Sequence, residues 1–223
     1  MNLEQGLPFW GELTERQRER LRQAAGLRRA ARGSQVHRGD DDCVGLLLVR
    51  AGQLRGYLLS EEGREITLFR LFPGDLCLFS ASCILPGIQF EVFVDAWEDT
   101  EFLLIPAGVY GELMETSLPV SHFTGELMAA RLSEVVWLMD QILNRSFDLR
   151  LAAFLKEECR ITGSPLLHIT HEQIARHLGT AREVVTRMLR YFQREGLVRL
   201  ARGEVELMDL ERLRKLASPR REP

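Results

Sequence analysis

The sequence has few cysteines, no long apolar run and no basic amino-terminal segment. Its four cysteines, Cys43, Cys77, Cys83 and Cys159, are scattered over 223 residues, which suits a reducing compartment better than a disulfide scaffold. No stretch approaches the roughly 18 apolar residues of a membrane helix, and the opening MNLEQGLPFW does not resemble a signal peptide. We therefore expect a cytoplasmic protein with no membrane partner.

Positive charge is missing from a long internal stretch and concentrated near the carboxyl terminus. Between Arg70 and Arg131 there is no Lys or Arg, although this interval contains nine Asp and Glu residues. Residues 148–223 contain 15 Lys and Arg against 11 Asp and Glu, a net charge of +4. Since the whole chain has a net charge of −3, residues 1–147 have a net charge of −7. The division predicts two domains with separate tasks, of which the second suits a polyanion.

The most specific pattern is the segment from Thr170 to Gly203, THEQIARHLGTAREVVTRMLRYFQREGLVRLARG. Thr170 and Gln173 have the spacing of a capping box, which predicts a first helix, and Gly179 supplies a tight turn after it. Thr180 is predicted to cap a second helix. The apolar inward face of that helix consists of Val185, Met188, Leu189 and Phe192. A β-hairpin is predicted after it, so the whole segment indicates a winged helix-turn-helix.

The outward face of the second helix is rich in arginine. It carries Arg182, Glu183, Arg187, Arg190 and Arg194. Arginine can donate two hydrogen bonds to guanine O6 and N7, and glutamate can accept one from cytosine N4, so this face suits a DNA major groove. Two simpler interpretations stay open: Glu183 closes a capping box with Thr180, or the arginines are ordinary surface charge.

The first half of the chain is β-rich and is followed by a long helix. After an amphipathic helix over residues 8–24, with Leu13 and Leu21 facing inward, residues 27–107 contain short strand patterns separated by turns. They predict an antiparallel barrel or jelly roll. From about residue 109 the period is helical. Apolar residues then recur at spacings of four and three, at Met128, Leu132, Val135, Met139 and Ile142.

This apolar stripe is typical of a helix that pairs with its twin, which predicts a homodimer. The alternative is that the stripe covers its own barrel. Asn144-Arg145-Ser146 interrupts the apolar run and is the predicted hinge. The fold class is therefore α+β, with a double-stranded β-helix (jelly-roll) sensor domain over 1–108, a dimerisation helix and hinge over 109–145, and a winged helix-turn-helix over 146–223.

The order of these segments, together with the motif at residues 170–203, resembles the Crp–Fnr family of bacterial transcription regulators. The resemblance implies that Arg182, Glu183 and Arg187, in the pattern Arg-Glu-x-x-x-Arg, read bases of a half-site near TGTGA. It implies double-stranded DNA as partner, bound as a palindrome by a homodimer, and leaves a contact with RNA polymerase open. The remaining predicted DNA-binding residues are Thr180, Thr186, Arg190, Arg199 and Arg202.

The resemblance also bears on the signal that the first domain senses. Family members that bind cyclic nucleotides carry Gly-Glu and, some residues later, an Arg beside Ser or Thr. This chain has Gly74-Asp75 but no such Arg, and a buried phosphate without a cation costs several kcal/mol. We therefore expect no binding of cyclic AMP or cyclic GMP. The oxygen-sensing subgroup of the family holds an iron–sulfur cluster with a group of amino-terminal cysteines and one later cysteine. The first 42 residues of this chain contain no cysteine, so such a cluster is disfavoured too.

Several other signals stay open, so the cofactor is unknown. Cys77 and Cys83 could form a thiol switch or bind a soft metal, or they could be apolar core residues. Haem ligation through His37, Cys77 or His122 and a small apolar ligand are further alternatives. A cupin-type metalloenzyme is remote, because only His37 lies in the β-rich region. We accordingly predict no catalytic residues and no dedicated metal site.

Overall fold

The computed structural model describes residues 2–39, 44–78 and 91–217 of the chain. These residues form two compact units. The first comprises the described residues up to 59 and from 68 to 136, and the second comprises those from 60 to 67 and from 137 onwards. The three-part division at residues 108 and 145 stays a prediction. Within the described ranges, no helix combines the length and hydropathy needed to cross a membrane.

The β-rich region forms two four-stranded sheets. Its strands are β1 Gly26–Ala30, β2 Gln35–Arg38, β3 Gly45–Ala51, β4 Leu54–Leu59, β5 Glu65–Leu71, β6 Leu76–Cys77, β7 Phe93–Ala96 and β8 Thr100–Pro106. The strand orders are β1-β8-β3-β6 and β2-β7-β4-β5. The β1–β8, β3–β8, β3–β6, β2–β7 and β4–β7 pairs are antiparallel. Apart from β4 and β5, neighbouring strands in each sheet are distant in sequence, as in a jelly roll, which confirms the predicted fold class.

Apolar side chains fill the first unit in two clusters. One of them includes Leu47, Val49, Leu54, Leu71 and Val94, each with 0% of its surface exposed. Burying one such side chain stabilises the fold by about 1.5–3 kcal/mol. The other cluster attaches the amino-terminal and flanking helices to the sheet of β3 and β8.

The amino-terminal segment corrects one prediction. Residues 8–24 are not one helix: the structure has α1 Leu3–Gly6, a short 3-10 helix at Trp10–Glu12 and α2 Glu15–Ala24. The reason is local, because Thr14 caps α2 in a reciprocal box with Gln17, and the chain enters that cap in an extended conformation. The predicted inward positions hold, since Leu13 is 4% exposed and Leu21 is 0% exposed.

Two helices follow the barrel, α3 Ala107–Thr116 and α4 Leu118–Asn144. With 27 residues, α4 is about 40 Å long. Met128 packs against the apolar clusters of the first unit, whereas Leu132 and Met139 are 65% and 54% exposed. The apolar stripe of α4 therefore covers the barrel near Met128 and faces solvent further along the helix. Val136, Trp137, Ile142 and Leu143 extend the exposed part.

The second unit is a helical domain with a small sheet, consistent with the predicted winged helix. Its elements after α4 are α5 Phe147–Thr162, β9 Leu166–Leu167, α6 His171–Leu178, α7 Arg182–Arg194, β10 Val198–Ala201, β11 Glu204–Leu207 and α8 Leu210–Ala217. The sheet order is β10-β11-β9. α4 ends at Asn144 and α5 begins after Ser146, so the helical chain is interrupted at the predicted hinge. Motion at this point stays a prediction.

Candidate nucleic-acid interface

The helix α6 is fixed at both ends by hydrogen bonds. Thr170 and Gln173 form the predicted capping box, with Thr170 N donating to Gln173 Oε1 at 2.8 Å and Gln173 N donating to Thr170 Oγ1 at 3.2 Å. At the other end, Gly179 has a φ of 65°, a left-handed conformation that glycine adopts without strain. Arg150 donates to the Leu178 carbonyl oxygen at 2.5 Å, and burial lowers the pKa of Arg150.

The recognition helix α7 begins later than the sequence predicts. Its N-cap is Ala181, which makes no side-chain cap, so the prediction that Thr180 caps this helix is wrong. The backbone stays extended through Ala181, at φ −78° and ψ 145°, which leaves Thr180 one position outside the cap. Glu183 consequently does not close a capping box with Thr180. Its exposed carboxylate lies in the first turn of α7, where its negative charge interacts favourably with the positive end of the helix dipole.

Thr170 caps its helix and Thr180 does not, so alanine substitutions at the two positions should differ in their effect on stability. We expect Thr170→Ala to lower the free energy of unfolding by about 1 kcal/mol, because the Gln173 N–H loses the Thr170 hydroxyl as its acceptor. Thr180→Ala is the matched control and should change it by less than about 0.5 kcal/mol, a usual surface effect. Urea unfolding of both variants, followed by circular dichroism, measures the difference. Equal losses would contradict the assignment of Ala181 as the N-cap.

The two faces of α7 differ sharply in exposure. Val185, Leu189 and Phe192 are 0% exposed and hold the helix on the core of the second unit. The opposite face is exposed and consists of Arg182, Glu183, Arg187, Arg190 and Arg194. Within the described ranges, no carboxylate lies within ion-pair distance of Arg182, Arg187 or Arg190. With 13 residues α7 is about 20 Å long, so its exposed face can lie along a groove about 12 Å wide.

Thr186 is less exposed than the arginines of α7. It is half-buried, and its hydroxyl donates to the Arg182 carbonyl oxygen at 2.9 Å. The Nδ1 atom of His171, the first residue of α6, lies 2.9 Å from the same hydroxyl oxygen. Burial, and then the charges of Arg182 and Arg190, lower the pKa of His171. The sequence analysis did not single out His171, although its place directly after the Thr170 cap is a signal that could have drawn attention to it.

The wing places the two remaining arginines differently. Arg199 on β10 faces its register partner Glu206 on β11, and its Nε atom lies 2.7 Å from Glu206 Oε2. Arg202 is exposed in the turn between the two strands, beside Gly203. The carboxylate of Glu206 offsets the charge of Arg199, so Arg202 is the better candidate for a phosphate contact from the wing.

The candidate sensor residues lie in the first unit. Cys77 is on β6, is 1% exposed and belongs to the apolar cluster of the barrel, whereas Cys83 lies outside the described residues. His37 on β2 is 1% exposed, and His122 on α4 is exposed and 3.5 Å from Glu126. Among the residues described, no three His, Cys, Asp or Glu side chains are grouped closely enough to hold a metal ion. The burial of Cys77 favours its interpretation as a core residue.

Asp75 and Arg131 are both engaged within the protein. Asp75 Oδ2 accepts from the backbone N–H of Phe72 at 2.8 Å, so this carboxylate closes a turn. Arg131, the first cation after Arg70, reaches back from α4. It pairs with Glu134 at 2.7 Å, stacks 5.0 Å from the centre of the Phe69 ring and donates to the Leu76 carbonyl oxygen at 3.4 Å.

A jelly-roll unit, a long helix with an exposed apolar face and a winged helix with an arginine-rich recognition helix together define a class, the bacterial regulators that join a sensor barrel to a DNA-binding domain. Similarity to known proteins agrees with this class. Residues 149–216 match the family model of the Crp-like helix-turn-helix domain. The chain belongs to the Crp/Fnr family of transcription regulators, and it carries that family's helix-turn-helix DNA-binding domain.

Individual relatives support the assignment along most of the chain. The cyclic AMP receptor protein of Thermus thermophilus is 33% identical over 172 residues, which are 77% of this chain and 79% of that protein. The transcriptional regulator SdrP of the same organism is 27% identical over 181 residues, 77% of this chain and 83% of SdrP. A crystal structure of a protein from Eubacterium rectale, assigned to the Crp/Fnr transcriptional regulators, is 51% identical. Its TM-score is 0.94, with 96% of this chain and 99% of that chain covered.

Proposed function

We propose that the protein is a homodimeric regulator that binds a palindrome of TGTGA-like half-sites and responds to a signal other than a cyclic nucleotide. It acts on DNA in the cytoplasm and has no catalytic activity, since its relatives are transcription regulators. One observation carries the proposal: Glu183, which caps nothing, is exposed on the face of α7 between Arg182 and Arg187. A contact with RNA polymerase rests on family membership alone.

The proposed readout follows from hydrogen-bonding chemistry. Glu183 and Arg187 are four residues apart and therefore lie on the same face of α7. Arg182 and Arg187 donate to O6 and N7 of guanines, and Glu183 accepts from N4 of a cytosine paired with a guanine of the half-site. Each such contact contributes about 1–3 kcal/mol of discrimination between bases. Arg190 and Arg202 bind phosphates, while Arg199 contributes less because Glu206 offsets its charge.

The dimer is supported by the exposed side of α4. Leu132, Val136, Trp137, Met139 and Leu143 are each more than half exposed. Monomeric proteins rarely leave such contiguous apolar patches in water. Pairing of two α4 helices would bury these side chains, and two-fold symmetry then matches a palindrome whose half-sites are one DNA turn, about 34 Å, apart.

The signal is proposed to differ from that of cyclic-nucleotide receptors. Asp75 already accepts a backbone N–H, and Arg131 is already paired with Glu134. Both groups would have to give up these partners to help bind a cyclic phosphate, in a region otherwise rich in carboxylates. A thiol switch through Cys77 and Cys83, haem and a small apolar ligand remain hypotheses for the signal. The burial of Cys77 speaks against the first of them.

Binding to labelled duplexes tests the proposal. We expect fluorescence anisotropy to show that the protein binds a palindromic TGTGA duplex at least about 1,000-fold more tightly than a scrambled duplex of the same length. The logarithm of affinity should fall linearly with the logarithm of salt concentration on both, because phosphate contacts release counterions. The scrambled duplex controls for charge alone. Equal affinity for the two duplexes would contradict the proposed half-site.

A further inference from the structure

His171 is a titratable side chain of the interface that base readout does not use. It is half-buried at the start of α6, and its Nδ1 atom lies 2.9 Å from Thr186 Oγ1 on α7. The single hydroxyl proton of Thr186 goes to the Arg182 carbonyl oxygen, so Oγ1 accepts a hydrogen bond from Nδ1–H of His171. This contact determines the tautomer of the neutral ring, which carries its proton on Nδ1 and a lone pair on Nε2.

The charged groups around His171 come from both helices. On α7, Arg182 and Arg190 lie four residues before and after Thr186, so all three share one face of that helix. On α6, the neighbouring Glu172 is engaged by Arg176 at 3.8 Å. Burial, followed by the two guanidinium charges of α7, lowers the pKa of His171. In the protein without DNA, the ring is therefore neutral near neutral pH.

We propose that His171 is a proton-linked positioning residue of the recognition helix, which holds Thr186 in place and, when protonated, donates from Nε2 to a DNA phosphate beside α7. The geometry supplies the first half of this role, and the protonation chemistry of Nε2 supplies the second. Nδ1 is committed to Thr186, and the neutral ring offers only a lone pair at Nε2, which repels a phosphate oxygen. Protonation turns Nε2 into a charged donor, and hydrogen bonds of that kind to phosphate are among the stronger ones in proteins.

Linkage gives the direction of the pH effect. The inference rests on the proposed function, because it requires α7 to lie in a groove lined by phosphates. Phosphate charge favours the cationic ring, so the pKa of His171 is higher in the DNA complex than in the protein alone. DNA affinity must then rise as pH falls from above the pKa of the complex to below that of the protein alone, and it levels off on both sides.

The test measures affinity for a labelled random-sequence duplex at about 50 mM salt, where phosphate contacts are strongest, between about pH 8 and about pH 5.5. We expect the affinity of the unmodified protein to rise about three- to tenfold over this range, as for a pKa difference of up to about one unit. His171→Gln keeps a neutral partner for Thr186 and should lose this rise. His171→Arg should bind at about pH 8 as tightly as the unmodified protein binds at about pH 5.5.

A matched control comes from the same unit. His168 is three residues upstream, exposed, and 3.3 Å from Glu204, so His168→Gln should keep the full pH dependence. If His171→Gln shows the same rise as the unmodified protein, the inference is wrong. An unmodified protein that prefers the TGTGA duplex at every pH, with a flat pH profile, would overturn the inference and leave the proposed function standing. Failure to bind either duplex would overturn both.

A second measurement does not depend on the variants folding. In the unmodified protein, the imidazole of His171 can be titrated by nuclear magnetic resonance with and without the duplex. We expect the pKa to lie below the usual histidine value of about 6.5 without DNA and to increase when DNA is added. A pKa that does not change on DNA addition would refute the proton linkage even if His171→Gln were unfolded.

Discussion

Replacing Leu132 and Met139 together by glutamate should convert the protein from a dimer to a monomer and lower its affinity for the palindromic duplex at least about a hundredfold. The two side chains are 65% and 54% exposed and seven residues apart, so they occupy equivalent positions in an α4–α4 seam. Four carboxylates in such a seam would have to be buried without cations, which costs several kcal/mol. Sedimentation velocity and fluorescence anisotropy measure the two effects.

The control for this variant adds the same charge elsewhere on the helix. Ala130→Glu with Ser133→Glu places two glutamates at exposed positions of α4 outside the predicted seam. This double variant should remain a dimer and bind the palindrome with at most a few-fold loss from added repulsion of DNA. A Leu132→Glu, Met139→Glu variant that sediments as a dimer would show that the exposed apolar side of α4 has another occupant.

Replacing Arg187 by alanine should lower affinity for the TGTGA palindrome about ten- to hundredfold for each half-site. Its guanidinium is exposed, and the loss of a bidentate contact to guanine is worth about 1–3 kcal/mol. Affinity for random-sequence DNA should fall only a few-fold, because there Arg187 acts as one positive charge among several. Fluorescence anisotropy with both duplexes gives the ratio of the affinity for the palindrome to the affinity for random-sequence DNA.

Arg194→Ala is the matched control on the same helix. Arg194 is exposed in the last turn of α7, with its guanidinium 6.0 Å from the centre of the Tyr191 ring, and it removes the same formal charge when replaced. It should weaken binding to both duplexes alike. If Arg187→Ala also lowered the affinity for both duplexes equally, Arg187 would contact phosphate only. The proposed base readout would then rest on Arg182 and Glu183.

The sequence predicted those parts of the fold that depend on local interactions. The Thr170 cap, the Gly179 turn and the buried face of α7 all follow from residues at most a few positions apart. The start of α7 was missed because threonine is a preferred N-cap residue and alanine is not, so the sequence favours Thr180, whereas the backbone stays extended through Ala181. Propensity alone does not contain that geometry.

Strands that depend on distant partners were harder to predict. β1 has the sequence GLRRA and is mostly exposed at the edge of its sheet, and β6 has only two residues, paired to Leu47 and Leu48 of β3. Neither has an alternating apolar pattern. Backbone pairing of β1 with β8 and of β6 with β3 makes them strands, and a partner so distant in sequence cannot be recognised from the strand's own residues. The exposed arginines of the interface were predictable from helical periodicity. The His171–Thr186 contact was not, since it depends on how two helices cross.

The exposed apolar side of α4 has a consequence for how the regulator responds to its own amount. If only the paired form binds the palindrome, DNA occupancy depends on two equilibria in sequence, association of two chains and then binding. At chain concentrations below the dissociation constant of the pair, occupancy grows with the square of concentration instead of linearly. Gene output would then change steeply over a narrow range of copy number, so synthesis and degradation of this protein would act as inputs alongside whatever the barrel senses.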